Sequence, residues 1–97
     1  MILTQGFRFN FPPTVWAGEV DEGVQVEKVD EELTELALAV RYHKDDGDRK
    51  MDVLMEAMDV ICAVETLLRG YSEADLDAAY AAVCGRNHLR GYFKEGM

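Results

Sequence analysis

Residues 26–40 read VEKVDEELTELALAV, and the spacing of the apolar residues in this stretch decides the fold. Val26, Val29, Leu33, Leu36, Ala37 and Val40 recur at steps of three and four, which lines one face of an α-helix with an apolar stripe. Downstream, the polar segment Lys44-Asp45-Asp46-Gly47-Asp48 closes this helix with a glycine suited to a tight reversal, and Asp48 is placed to cap the next one. Met51, Leu54, Met55, Met58, Ile61, Cys62 and Leu68 carry the same period through a second helix. Arg69 and Gly70 mark its end, a basic residue and a glycine where a helix terminus favours them. Ser72 opens a third helix, with Glu73 and Asp75 in the first turn and Leu76, Ala79, Tyr80 and Val83 as its apolar face. Gly85 is expected to weaken the end of that helix.

Upstream, residues 1–21 have a different character. Phe7, Phe9 and Phe11 alternate with Arg8 and Asn10, a period of two that predicts a short extended segment. Pro12 and Pro13 end any regular pairing, and Trp16, Gly18 and Gly23 precede the helices. The expected fold class is therefore all-α. An antiparallel helical hairpin and a third helix occupy residues 22–92, preceded by the extended segment, all within a single domain spanning 1–97.

Composition narrows the function. At 97 residues and 48% hydrophobic, the chain is a small folded unit rather than a disordered one. Its N-terminus does not read as a signal peptide and no apolar run is long enough to cross a bilayer, so a cytoplasmic location is expected. Nineteen acidic residues against 10 basic ones give a net charge of −9, which disfavours nucleic-acid polymers and anionic membranes as partners. A small anionic substrate remains compatible if a divalent cation accompanies it. Cys62 and Cys84 lack zinc-site spacing and are read as reduced core residues.

Four carboxylates stand out by position. Glu32 and Glu35 lie three apart on the first helix, and Glu56 and Asp59 lie three apart on the second, so each pair shares a helix face. With Asp46 as the centre of the reversal, Glu35 falls level with Glu56 and Glu32 with Asp59, to within about one residue or ~1.5 Å of rise. Carboxylates facing one another this way repel unless a cation or protons intervene. Hard oxygen ligands on rigid helices suit Mg²⁺ or Mn²⁺. Asp52 is read instead as an interhelical ion pair with Arg41, and His43 and His88 have no partner pattern of a catalytic base.

EELTE at residues 31–35, followed after 20 residues by EAMD at 56–59, resembles the EEXXE and EXXD motif pair of the all-α, MazG-like nucleoside triphosphate pyrophosphohydrolases. The segment Arg86-Asn87-His88-Leu89-Arg90-Gly91-Tyr92 is similar to the asparagine-and-basic stretch that comes after the third helix in that superfamily. The resemblance implies metal ligation by Glu32, Glu35, Glu56 and Asp59. Glu31 or Glu35 would accept a proton from water, and Asn87 and Arg90 would contact substrate phosphates. Lys28, one turn before Glu32, is a further phosphate candidate or else balances the acidic cluster through an i,i+4 pair with Glu32. It also implies Mg²⁺-dependent hydrolysis between the α and β phosphates of a dNTP or non-canonical NTP. Family members are commonly dimers or tetramers, which fits a three-helix chain completing a four-helix-type bundle with a second copy. The N-terminal segment departs from the family, many of whose members begin with a further helix. A reading of a different class is a non-catalytic helical interaction module, or a nucleotide binder without turnover.

Overall fold

A computed structural model of the chain describes residues 6–43 and 50–94. The reversal at 44–48, its capping Asp48 and the side chain of His43 lie outside the described residues. Those residues form three helices and no strand: α1 (Glu22–His43), α2 (Lys50–Leu68) and α3 (Glu73–Leu89). No described helix is long and apolar enough to cross a membrane. The chain divides into two compact units, Phe11–Gly70 and the pair of segments Met1–Asn10 with Tyr71–Met97.

In the first unit α1 and α2 pack as a hairpin. Only part of the expected apolar stripe packs: Val29 and Leu36 lie in the seam and the rest of the stripe stays exposed. Val26, Leu33 and Val40 are about half exposed, whereas the buried positions on α1 are Gln25, Glu32 and Ala39, with Val29 and Leu36 half-buried between them. These five positions alternate in steps of four and three, the repeat of a helix–helix seam. On α2 the matching series is Val53, Glu56, Val60, Ala63 and Leu67, buried or half-buried. Each helix thus carries two adjacent stripes roughly 100° apart, because consecutive residues are separated by that angle. The polar-containing stripe is the one turned inward. Periodicity counted hydrophobic residues, so it found Val29 and Leu36 but passed over the polar members Gln25 and Glu32.

Among the described residues the segment ahead of α1 forms no strand, and residues 6–13 carry no regular secondary structure. From Thr14 it folds into turns, with the Ala17 N–H donating to the Thr14 carbonyl and the Glu19 N–H to the Trp16 carbonyl. Gly18 sits third in the second turn with φ of +76°, the conformation a type II turn demands there. This strap is fastened to α2 through its backbone. Phe11 N–H donates to the Glu65 carboxylate at 3.0 Å, and Arg69 Nη2 donates to the Phe11 carbonyl at 2.9 Å. Glu65 is only 5% exposed, so this bond supplies part of the compensation a buried carboxylate requires. Further along, the Thr14 and Thr66 hydroxyls share a bond of 3.1 Å.

In the second unit α3 has well-formed caps at both ends. Ser72 is extended and its hydroxyl accepts from Asp75 N–H at 3.2 Å. At the other end Tyr92 N–H reaches the Asn87 carbonyl, Gly91 N–H reaches that of His88, and Gly91 has φ of +74°. This is a Schellman cap, and it explains the Arg-Gly-Tyr sequence as helix-stop chemistry. Gly85 does not end the helix, which runs through it to Leu89. Its cost there is about 1 kcal/mol relative to alanine. Residues 6–10 belong to this unit: Phe7 N–H donates to Asp77, and the Phe7 and Phe9 rings meet edge-on at 4.6 Å.

Candidate metal centre

Gln25 fixes the register of the hairpin. Its Nε2 donates to the Ala63 carbonyl at 3.0 Å across the seam. Seven residues onward along α1, and seven back along the antiparallel α2, Glu32 meets Glu56. One carboxylate oxygen from each of Glu32, Glu35 and Glu56 lies within 4.8 Å of the other two. Asp59 is not part of this cluster among the described residues. The reversal arithmetic set Glu32 level with Asp59; the seam instead draws Glu56 to Glu32 and places Asp59 about one turn, ~5 Å, further along.

Three acids in so small a volume leave their mark on Glu35. The charge of Glu32 pushes its pKa up, with loss of hydration and the charge of Glu56 adding to the effect. Glu32 is buried and Glu56 half-buried, and one oxygen of each, Oε2 in both cases, is inaccessible and has no hydrogen-bond partner. Such orphaned oxygens are uncommon in folded proteins because desolvation without a partner costs about 1–3 kcal/mol or more. The nearest cation is Lys28, whose Nζ stands 2.9 Å from Glu32 and 3.9 Å from Glu31. Its pKa is raised, chiefly by the hydrogen bond to Glu32.

Other residues singled out in the sequence take different positions. Glu31 is exposed and outside the cluster. Asp52, expected to pair with Arg41, forms no ion pair with it among the described residues and lines a cavity with Glu35 and Glu56 instead. Asn87 and Arg90 belong to the other unit. There Asn87 Oδ1 is buried without a partner, and Arg90 comes after the last turn of α3 with its guanidinium 5.8 Å from the Tyr92 ring centroid. Cys62 and Cys84 are both free and half-buried.

Two cavities flank the cluster along one face of the hairpin. One, of about 430 Å³, is walled by the strap through Trp16 and Val20 and by the helices through Gln25 and Cys62, with Glu32 and Asp59 as its members nearest the cluster. The other, of about 370 Å³, begins at Glu35 and Glu56 and runs past Ala39 to Tyr42 and Asp52. Glu32 thus borders the first, and Glu35 and Glu56 the second. Sequence reasoning missed Gln25, a polar residue at an interior seam position. Its spacing of seven before Glu32 was the available signal.

The chain matches no family model, and no curated protein or solved structure matches it.

The raised pKa of Glu35 sets a pH dependence. A carboxyl whose folded-state pKa lies above its unfolded value contributes stability that is complete below the ordinary glutamate range and is lost as pH rises through the raised value. In chelator, the melting temperature is expected to fall with rising pH on leaving the carboxylate range. Glu35→Gln should flatten that part of the curve when the two proteins are melted side by side. Parallel curves would show that Glu35 does not feel its neighbours.

Proposed function

We propose that this chain is a magnesium-dependent nucleoside triphosphate pyrophosphohydrolase, cleaving a dNTP or non-canonical NTP to the monophosphate and pyrophosphate as a homo-oligomer. The observation that carries the reading is the pair of orphaned, inaccessible oxygens on Glu32 and Glu56 inside a three-carboxylate cluster. Hard oxygen donors that converge while two of their oxygens have no partner among the described residues fit Mg²⁺ or Mn²⁺. Glu32, Glu35 and Glu56 would hold the ion, with Asp59 available from the neighbouring turn. When bound, a divalent ion neutralises phosphate charge and acidifies water.

The chain's own groups supply the remainder. Lys28, held against Glu32, offers a positive charge to a phosphate oxygen at the edge of the larger cavity. Water attacks phosphorus, the bond between the α and β phosphates breaks, and pyrophosphate leaves. The water's proton passes to a carboxylate. Glu35 suits that role by position, as the exposed member of the cluster. Glu31, exposed one turn beyond Lys28, is the alternative acceptor. Asn87 and Arg90 are assigned to phosphate contacts by the sequence resemblance alone.

The test is release of pyrophosphate from a panel of canonical and modified NTPs and dNTPs, with Mg²⁺, with Mn²⁺ and with chelator. Turnover with metal that stops in chelator supports the reading. No turnover on any nucleotide, together with a melting temperature indifferent to metal, would replace it with the interaction module.

A further inference from the structure

The larger cavity has a composition that phosphate chemistry does not require. Trp16 is the only tryptophan of the chain, is 58% exposed, and is carried to the cavity by a strap tied to α2 at Phe11 and at Thr14. The opposite wall holds Gln25, which is only 7% exposed. Its Nε2 is committed to the Ala63 carbonyl, so the amide retains one N–H and Oε1, a donor and an acceptor side by side. An exposed indole, a fixed amide and apolar lining from Val20 and Val24 make a slot for a flat, polar-edged ring. Glu32, Lys28 and Asp59 border the same cavity, so a ring seated there has its attached phosphates directed toward the carboxylates. The smaller cavity offers no such wall: it has Tyr42 but adds Asp52 and no cation among its described lining.

We infer that the cavity between the strap and the hairpin is the nucleoside subsite, in which Trp16 stacks on the base and Gln25 reads a donor–acceptor edge. This rests on the pyrophosphohydrolase reading and adds to it the ligand chemistry and the residues that select it. The strap confers the selectivity, since the helices alone leave that side of the groove open.

Trp16 itself reports on the subsite. Free nucleosides, which carry no phosphate and need no metal, are expected to quench its fluorescence saturably. Trp16→Ala should raise the KM for nucleotide by roughly ten- to a hundredfold, the usual yield of base–aromatic stacking, with Trp16→Phe recovering most of the loss. Inorganic tripolyphosphate, which has no base, should inhibit wild type and Trp16→Ala equally in Mg²⁺. Pyrophosphate release without any nucleoside quench, or an equal effect of Trp16→Ala on nucleotide and tripolyphosphate, would overturn the subsite and leave the enzyme. A saturable quench from a protein that releases no pyrophosphate would overturn the enzyme and leave the subsite.

Discussion

Glu56→Gln is expected to do two things of opposite sign: raise the melting temperature of the metal-free protein and abolish pyrophosphate release. The first effect comes from the crowding of Glu56 with Glu32 and Glu35, whose oxygens lie within 4.8 Å of one another. Two unit charges at such a separation repel by about 3–4 kcal/mol at an effective dielectric of ~20. Access of solvent to the cluster screens this, so a net gain of about 1 kcal/mol is expected from the neutral isostere. For a domain of this size that is a rise of roughly 4–8 °C. The second effect comes from losing a ligand: metal ions contribute several kcal/mol to phosphoryl transition states, and each ~1.4 kcal/mol is tenfold in rate. A fall of at least about a thousandfold is therefore expected. The stabilisation should also shrink in Mg²⁺, because the ion relieves the repulsion in wild type. Glu27→Gln, on the exposed side of α1, serves as the control that does neither. A Glu56→Gln protein that melts lower in chelator, or that keeps its activity, would show that these carboxylates are not held for a cation.

The second large effect concerns the stripe that the hairpin leaves uncovered. Val26, Leu33 and Val40 on α1, and Leu54 and Ile61 on α2, are spaced by seven residues and are 42–52% exposed. A sevenfold repeat of this kind is a helix-packing surface, and with a net charge of −9 a lone chain has little reason to display it. Fully burying each such side chain contributes about 1.5–3 kcal/mol, part of which is already realised in the half-covered state. Closing the stripe against a second copy is the proposed solution. The double variant Leu33→Asp with Ile61→Asp, which places charge in the middle of the stripe, is expected to weaken self-association by more than about a hundredfold. Light scattering should then read dimer or tetramer for wild type and monomer for the variant, and wild type alone should melt in a concentration-dependent way. Wild type that stays monomeric at every concentration reached would rule out this use of the stripe.

Both results turn on something that sequence periodicity read only in part. Helix number, helix type and most boundaries are set by residue spacing, because caps and apolar repeats are local: Ser72, Gly91 and the steps of three and four each act within a turn or two. Which stripe turns inward is not local. Leu33 is more hydrophobic than Glu32, yet Glu32 lies in the seam, because the partner helix and the Gln25 bond fix the rotation of α1. Spacing grouped Glu32, Glu35, Glu56 and Asp59, and the structure gathers the first three while Asp59 lines the adjoining cavity with Glu32. Counting outward from the reversal locates residues to within a turn but carries no information on how two seams interlock. The strap was the least legible part. Its turns depend on Gly18, but its attachment depends on Glu65 and Arg69, more than 50 residues away in sequence.

That attachment grips the peptide of Phe11 rather than its side chain. Glu65 takes the N–H and Arg69 the carbonyl, so any residue except proline satisfies the clip, and its strength is indifferent to the identity of the strap residues after it. Thr14, whose hydroxyl bonds Thr66, is the exception; apart from it the helices are insulated from side-chain changes in this part of the strap. Loops of different sequence could be exchanged there as cassettes, with diversity confined to the wall that meets the ligand, so the chain has a ready route to new substrates without renegotiating its core.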